Sequence, residues 1–230
     1  MAIYWILFIG TALASWLVSL NFKNKEKKYS RIPLDNGLTG RQIAEKMLSE
    51  NGIYDVKIVA TDGVLTDNYN PTNKTISLSS AVYGGSNVFA ASVAAHETGH
   101  ALQHARAYGP LKMRSALVPV VSYASQWVTW ILLGGMLLIG SNLKIGSPVL
   151  LAGILLFATT TLFSFITLPV EINASMRALK WLSGAGITSV RNHTEAEGAL
   201  RAAAYTYVVA ALSSLATLMY YVMIYLGRRD

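Results

Sequence analysis

The sequence predicts a mainly α-helical membrane protein, with about four transmembrane helices and a small α+β domain outside the bilayer that carries a histidine-rich helix. Three observations point there. Only 13% of the 230 residues are charged and 53% are hydrophobic, whereas an ordinary soluble domain carries about 25% charge. Four apolar stretches approach or exceed the roughly 20 residues that cross a bilayer as a helix. Finally, His96, His100 and His104, three of the four histidines, fall within nine residues.

The apolar stretches read Ala2–Leu20, Ala116–Ile139, Pro148–Leu168 and Ala202–Leu226. No Lys or Arg precedes the first, and its basic residues follow it, so it reads as an uncleaved anchor and not a signal peptide. In the second, Trp127 and Trp130 suit a membrane interface, while Gly134 and Gly135 suit close helix packing. Lys23, Lys25, Lys27, Lys28 and Arg31 lie directly after the first span, which places the chain there in the cytoplasm. Alternating spans then divide the chain into an anchor (1–21), a cytoplasmic domain (22–115), two transmembrane helices (116–168), a second cytoplasmic segment (169–201), and a last transmembrane helix with its tail (202–230). The two cytoplasmic segments hold twelve and four of the nineteen Lys and Arg residues; Lys144, Arg228 and Arg229 fall on the other side. The closing "GRRD" leans weakly against a full fourth crossing.

Composition also excludes. The net charge of +7 follows from topology, and its partner is the lipid bilayer; a nucleic-acid partner lacks the basic stripe with interleaved aromatics that it needs. The spans are nearly free of charged residues, which argues against a transporter or channel. With no cysteine there is neither a disulfide nor a thiolate site, so a transition metal would have to be held by histidine and carboxylate.

Residues 22–115 change texture along their length. In "GLTGRQIAEKMLSENG", Thr39 is a helix N-cap, Ile43, Met47 and Leu48 share one face, and Gly52 stops the helix. "YDVKIVATDG" reads as a strand, followed by a turn at Asn70-Pro71 and a second strand over Thr75–Ser79. Gly84 and Gly85 break the chain. Ser86 or Asn87 then caps a helix through "VFAASVAAHETGHALQHA".

On that helix the spacing acquires a meaning. Residues four apart share a face, so His96 and His100 can converge on one metal ion. Glu97, offset around the axis, can address a water at that ion. Gly99 leaves room beside the pair, at a cost of about 1 kcal/mol in helix propensity. A catalytic zinc takes three protein ligands plus water. His104 shares the face but lies about 6 Å further along the axis, which suits a supporting or surface group better. His193 has no supporting pattern. Glu171, directly after the third span and beyond a break expected at Pro169, is better placed; pairing with Arg177 across six residues is a poor helical match.

Three stretches carry a resemblance: "TDNYNPTNKTISLSSAVYGGSNVFAASVAAHE", "AAHETGHALQHARAYGPLKMRSALVPVVSYAS" and "LPVEINASMRAL". Together they resemble the YugP family of membrane-embedded zinc metallopeptidases, over nearly the whole chain. More distantly the layout is similar to HtpX-like membrane peptidases of the gluzincin class. The resemblance implies a zincin-like catalytic domain, a Zn2+ cofactor, and a peptide or protein substrate, membrane proteins among them. It implies His96, His100 and Glu171 as zinc ligands and Glu97 as general base. Two departures stand out. Distant relatives often place an Asp four residues after the ligand Glu, to orient a metal-bound histidine; here that position is Ser175, with Asn173 nearby. Asn68 and Asn70 stand where His and Asp are expected. The strand Thr75–Ser79 is the expected edge for an extended substrate. Tyr205, Tyr207 and His193 are candidate donors to the oxyanion, none of them assigned. The rival reading is a zinc-binding membrane interaction protein without turnover, which has no use for Glu97.

Overall fold

The computed structural model describes residues 2–227; Arg228 and Arg229, which enter the charge count above, lie outside the described residues. In chain order the elements are α1 (Ala2–Tyr29), α2 (Gly40–Glu50), β1 (Lys57–Thr61), β2 (Asn68–Asn70), β3 (Thr75–Ser79), α3 (Ser80–Tyr83), α4 (Val88–Ala105), α5 (Gly109–Gly140), α6 (Gly146–Gly184) and α7 (Val190–Leu226). The protein is mainly helical with one small sheet. Four of its helices, α1, α5, α6 and α7, are long and apolar enough to cross a membrane.

The chain divides into two compact units. One comprises the residues up to Trp16, Met113–Leu168 and the chain from Tyr207 onward. Its core gathers Val128 and Leu132 from α5 with Leu150 and Ile154 from α6. Gly135 explains the tightness of that contact, since a Cβ there would lie 2.7 Å from the Leu150 backbone nitrogen. Gly134 meets nothing, so only one of the paired glycines serves packing. Thr161 and Ser214 join α6 to α7 through a 2.7 Å hydroxyl pair. Trp130, Leu137 and Leu155 point outward, as helices in contact with lipid allow.

The other unit comprises Leu17–Lys112 and Pro169–Thr206. Thr39 caps α2 reciprocally: its hydroxyl accepts from the Gln42 backbone N–H, and the Gln42 side chain accepts from the Thr39 N–H. This is a capping box, which satisfies two donors that a helix start leaves open. Ile43, Met47 and Leu48 are buried, and Gly52 takes the left-handed φ of +72° that ends the helix. Asn87 caps α4 by accepting from the Ala90 N–H at 2.9 Å.

The sheet order is β1-β3-β2, with β1 parallel and β2 antiparallel to β3. Thr75–Ser79 is therefore the central strand, paired on both sides, and not the free edge expected from the sequence; the edges belong to β1 and β2. The physical reason is burial. Ile76 and Leu78 are fully enclosed in the core shared with α2 and α4, whereas β1 and β2 have only half-buried and exposed positions. The Asn70 side chain accepts from the Thr72 N–H and closes the β2–β3 turn.

A second correction concerns Pro169. The helix does not break there: α6 runs on to Gly184 with the proline inside it. Proline forfeits one hydrogen bond and crowds the preceding turn. That loss is outweighed here by a stripe of contacts beyond it, because Val170, Ala174, Ala178 and Leu182, each four residues apart, are wholly buried.

Thr39→Ala removes half of the capping box and is expected to lower the stability of this unit by about 1 kcal/mol. A thermal melt of the full chain in detergent, compared with Thr39→Ser, checks it; an unchanged midpoint contradicts the cap's role.

Candidate metal centre

Two helices supply the centre. His96, Glu97 and His100 lie in α4, and Glu171 lies in α6. What brings them together is a close backbone approach. A Cβ on Gly99 would sit 2.7 Å from the Ala174 carbonyl oxygen, so the helices touch where Gly99 has no side chain. Glu171 lies three residues before Ala174 and Ser175 one after it, which sets both beside the histidines.

His96 Nε2 lies 3.2 Å and His100 Nε2 3.5 Å from Glu171 Oε2. Among the described residues these three form the convergent group able to hold a metal ion, with ligand atoms all within 4.8 Å of one another. The rings stand edge to face, 4.8 Å apart. Tetrahedral zinc with bonds of about 2.0–2.1 Å separates its donors by roughly 3.3–3.4 Å, so the two short edges fit that geometry.

Hydrogen-bond direction makes the fit more specific. Arg177 can only donate, and its Nε reaches Asn173 Oδ1 at 2.7 Å. Gln103 Nε2 donates to that same oxygen at 3.0 Å and to the Val170 carbonyl at 2.8 Å. Both partners accept, so the Gln103 amide is oriented without ambiguity and its oxygen faces His100 Nδ1 at 3.0 Å. His100 must therefore donate from Nδ1. Its Nε2 faces the Glu171 carboxylate, and in this buried site the pair is satisfied by positive charge there, either a metal ion held by the neutral ring or a second ring proton donated to Glu171. At His96, Nδ1 lies 3.1 Å from Ser175 Oγ, so a hydroxyl holds the outer nitrogen of that ring.

Glu97 is buried, and burial pushes its carboxyl above the ordinary carboxylate range; His96 and His100 oppose that shift, while Glu171 and Asp67 add to it. His104 is not one of the convergent donors. Its Nδ1 faces the Tyr69 hydroxyl at 2.7 Å, and burial pushes that hydroxyl up to about 12, so it keeps its proton. Nor are the other candidates part of the group: His193 Nδ1 faces Thr188 Oγ1 at 3.2 Å, Tyr205 lines a separate cavity with Lys25 and Tyr29, and Tyr207 belongs to the other unit. Asn173 does take part, through Gln103. Gln103 itself was missed in the sequence reading, although its position three residues after His100 puts it on the same face of the helix.

With this geometry in view, comparison with known proteins is direct. The chain belongs to the family described as "Putative neutral zinc metallopeptidase", whose profile matches residues 4–226. It is 43% identical over 231 residues to the "Putative membrane protease YugP" of Bacillus subtilis (strain 168), covering 98% of this chain and 99% of that one. No solved structure matches it. Zinc is the metal of this family, and the two imidazoles with one carboxylate are a donor set suited to it.

Gln103→Leu removes the acceptor that holds His100 and leaves every convergent donor in place. It is expected to weaken zinc binding roughly 10–100-fold, read by equilibrium competition with a chelator; affinity unchanged from the parent contradicts the orienting role.

Proposed function

We propose that the protein is a membrane-embedded zinc-dependent metalloendopeptidase, with His96, His100 and Glu171 as zinc ligands and Glu97 as general base. Its α+β part is zincin-like, with α4 as the HExxH helix, and residues 22–115 and 169–201 form its cytoplasmic face. The observation that carries this reading is the convergence of two imidazole nitrogens and one carboxylate oxygen beside a second buried carboxylate. A site that only held a metal would gain nothing from burying Glu97, since an enclosed carboxylate is costly unless it is used or paired.

His96, His100 and Glu171 would hold the zinc, which when bound would supply Lewis acidity to a water and to a peptide carbonyl. Glu97, one residue past the first ligand and about 100° around the helix, takes a proton from the attacking water at its carboxylate and returns it to the departing amine. Gln103 and Ser175 hold the two rings by their outer nitrogens, so that both Nε2 atoms stay turned inward.

An extended peptide can pair with the outer edge of β2, whose one strand partner among the described residues is β3. Asn68 and Asn70 are exposed there, and Tyr69 ties the strand to α4 through His104. Recognition through main-chain hydrogen bonds favours flexible or unfolded segments, including segments of membrane proteins.

Glu97→Gln is expected to keep zinc and lose peptide cleavage by several orders of magnitude, whereas Glu171→Ala loses zinc. Metal analysis alongside hydrolysis of an unfolded protein substrate separates the two. Full zinc occupancy in Glu171→Ala would sink the ligand assignment, and residual cleavage by Glu97→Gln would sink the base.

Orientation has its own test. The chain has no cysteine, so single cysteines at Lys46 and Lys144 are clean reporters in intact cells. A membrane-impermeant maleimide is expected to label the Lys144 position and spare Lys46. The reverse pattern places the site outside.

A further inference from the structure

Beside the α4–α6 contact, a cavity of about 630 Å³ opens on a different stripe of both helices from the metal donors. Its lining is part apolar, with Met47 and Leu102, and Trp181 contributes an indole. Arg106, Arg177 and Lys180 bring three positive charges to it, and Glu50 one negative charge.

Glu50 does not neutralise the arginines. One of its oxygens pairs with Lys46 at 2.6 Å, and the other accepts from Trp181 Nε1 at 2.7 Å. The guanidiniums are braced by neutral amides instead: Arg106 Nη2 donates to Asn51 Oδ1 at 3.0 Å, and Arg177 Nε donates to Asn173 Oδ1 at 2.7 Å. Among the described residues, no carboxylate pairs with Arg106, Arg177 or Lys180. The two arginines are near enough for their like charges to oppose each other. Each guanidinium has five donors and spends one on its brace. The remaining donors lie beside apolar surface, with Arg177 half-buried and Arg106 and Lys180 exposed, so a ligand that uses them meets guanidiniums each already anchored at one nitrogen.

The geometry points to this cavity as a binding site for a carboxylate carried on an apolar-bodied peptide, either an acidic side chain or a free C-terminus. Guanidinium forks match carboxylates with two parallel hydrogen bonds, and Met47, Leu102 and the Trp181 ring suit the hydrocarbon part of such a ligand. That the ligand is a peptide rests on the peptidase reading; that it carries a carboxylate rests on the cavity alone. The cavity is also joined to the metal centre, because Asn173 Oδ1 is shared by Arg177 and Gln103, and Gln103 holds His100.

Trp181 is a built-in reporter once Trp5, Trp16, Trp127 and Trp130 are replaced by Phe. The full chain in detergent, carrying Glu97→Gln so that probes stay intact, is titrated with four ligands. These are acetyl-Leu-Leu-Glu-amide, acetyl-Leu-Leu-Leu with a free C-terminus, the neutral acetyl-Leu-Leu-Gln-amide, and inorganic phosphate. Saturable change in Trp181 emission is expected with one or both carboxylate peptides, and which of them responds identifies the source of the carboxylate. Arg106→Gln combined with Lys180→Gln is expected to weaken that binding roughly tenfold or more with an unchanged melting temperature, and Lys180→Gln alone to weaken it less. Equal binding of the neutral peptide, response to phosphate alone, no response to any probe, or an affinity untouched by the double substitution overturns the proposal. Since nothing is cleaved in this assay, a protein without peptidase activity still gives a readable answer.

Discussion

The candidate metal centre depends on one steric fact, the approach of the α6 backbone to α4 at Gly99. A helix pays about 1 kcal/mol in propensity for a central glycine, and here the return is visible, because a Cβ would collide with the Ala174 carbonyl. Without that approach the Glu171 carboxylate would stand a side chain's width from the two imidazoles. The wholly buried row Val170, Ala174, Ala178 and Leu182 holds α6 in register past Pro169. The same contact therefore keeps a proline-containing helix continuous and delivers the third donor.

Hydrogen-bond polarity does the rest. Arg177 is a group that only donates, and the Val170 carbonyl is one that only accepts. Between them the amides of Asn173 and Gln103 can be oriented in only one way, which commits His100 Nδ1 to donation. Such a network gains from a low-dielectric interior, where each hydrogen bond strengthens its neighbours. It ends where Nε2 meets the Glu171 carboxylate, the point at which a cation can be held. Ser175 performs a lighter version of the same task for His96.

Much of this was legible beforehand, for physical reasons that differ by residue. The four long apolar helices follow from hydropathy, since continuous apolar runs of this length suit a helix that satisfies its own backbone polar groups in lipid. Thr39, Asn87 and Gly52 act locally, so their roles as caps and stop could be read from neighbouring residues. His96 and His100 share a face through helical periodicity alone. Other features resisted. Thr75–Ser79 looked like an edge strand, yet enclosure of Ile76 and Leu78 made it the centre of the sheet. Pro169 looked like a break, yet burial beyond it kept the helix whole. His104 had the right spacing to be a supporting group, but only the fold supplied its partner, Tyr69.

By itself, then, the sequence determined what depends on short range: which segments are helical, which are apolar enough for a bilayer, and that two histidines four apart face one way. Tertiary structure decided what depends on distant residues meeting. It set which carboxylate completes the donor group 71 positions after His100, which amide holds His100, and which strand lies inside the sheet. Periodicity reports the face a residue presents. It carries no information about what is packed against that face, and the contact of Gly99 with Ala174 is the place where that was settled.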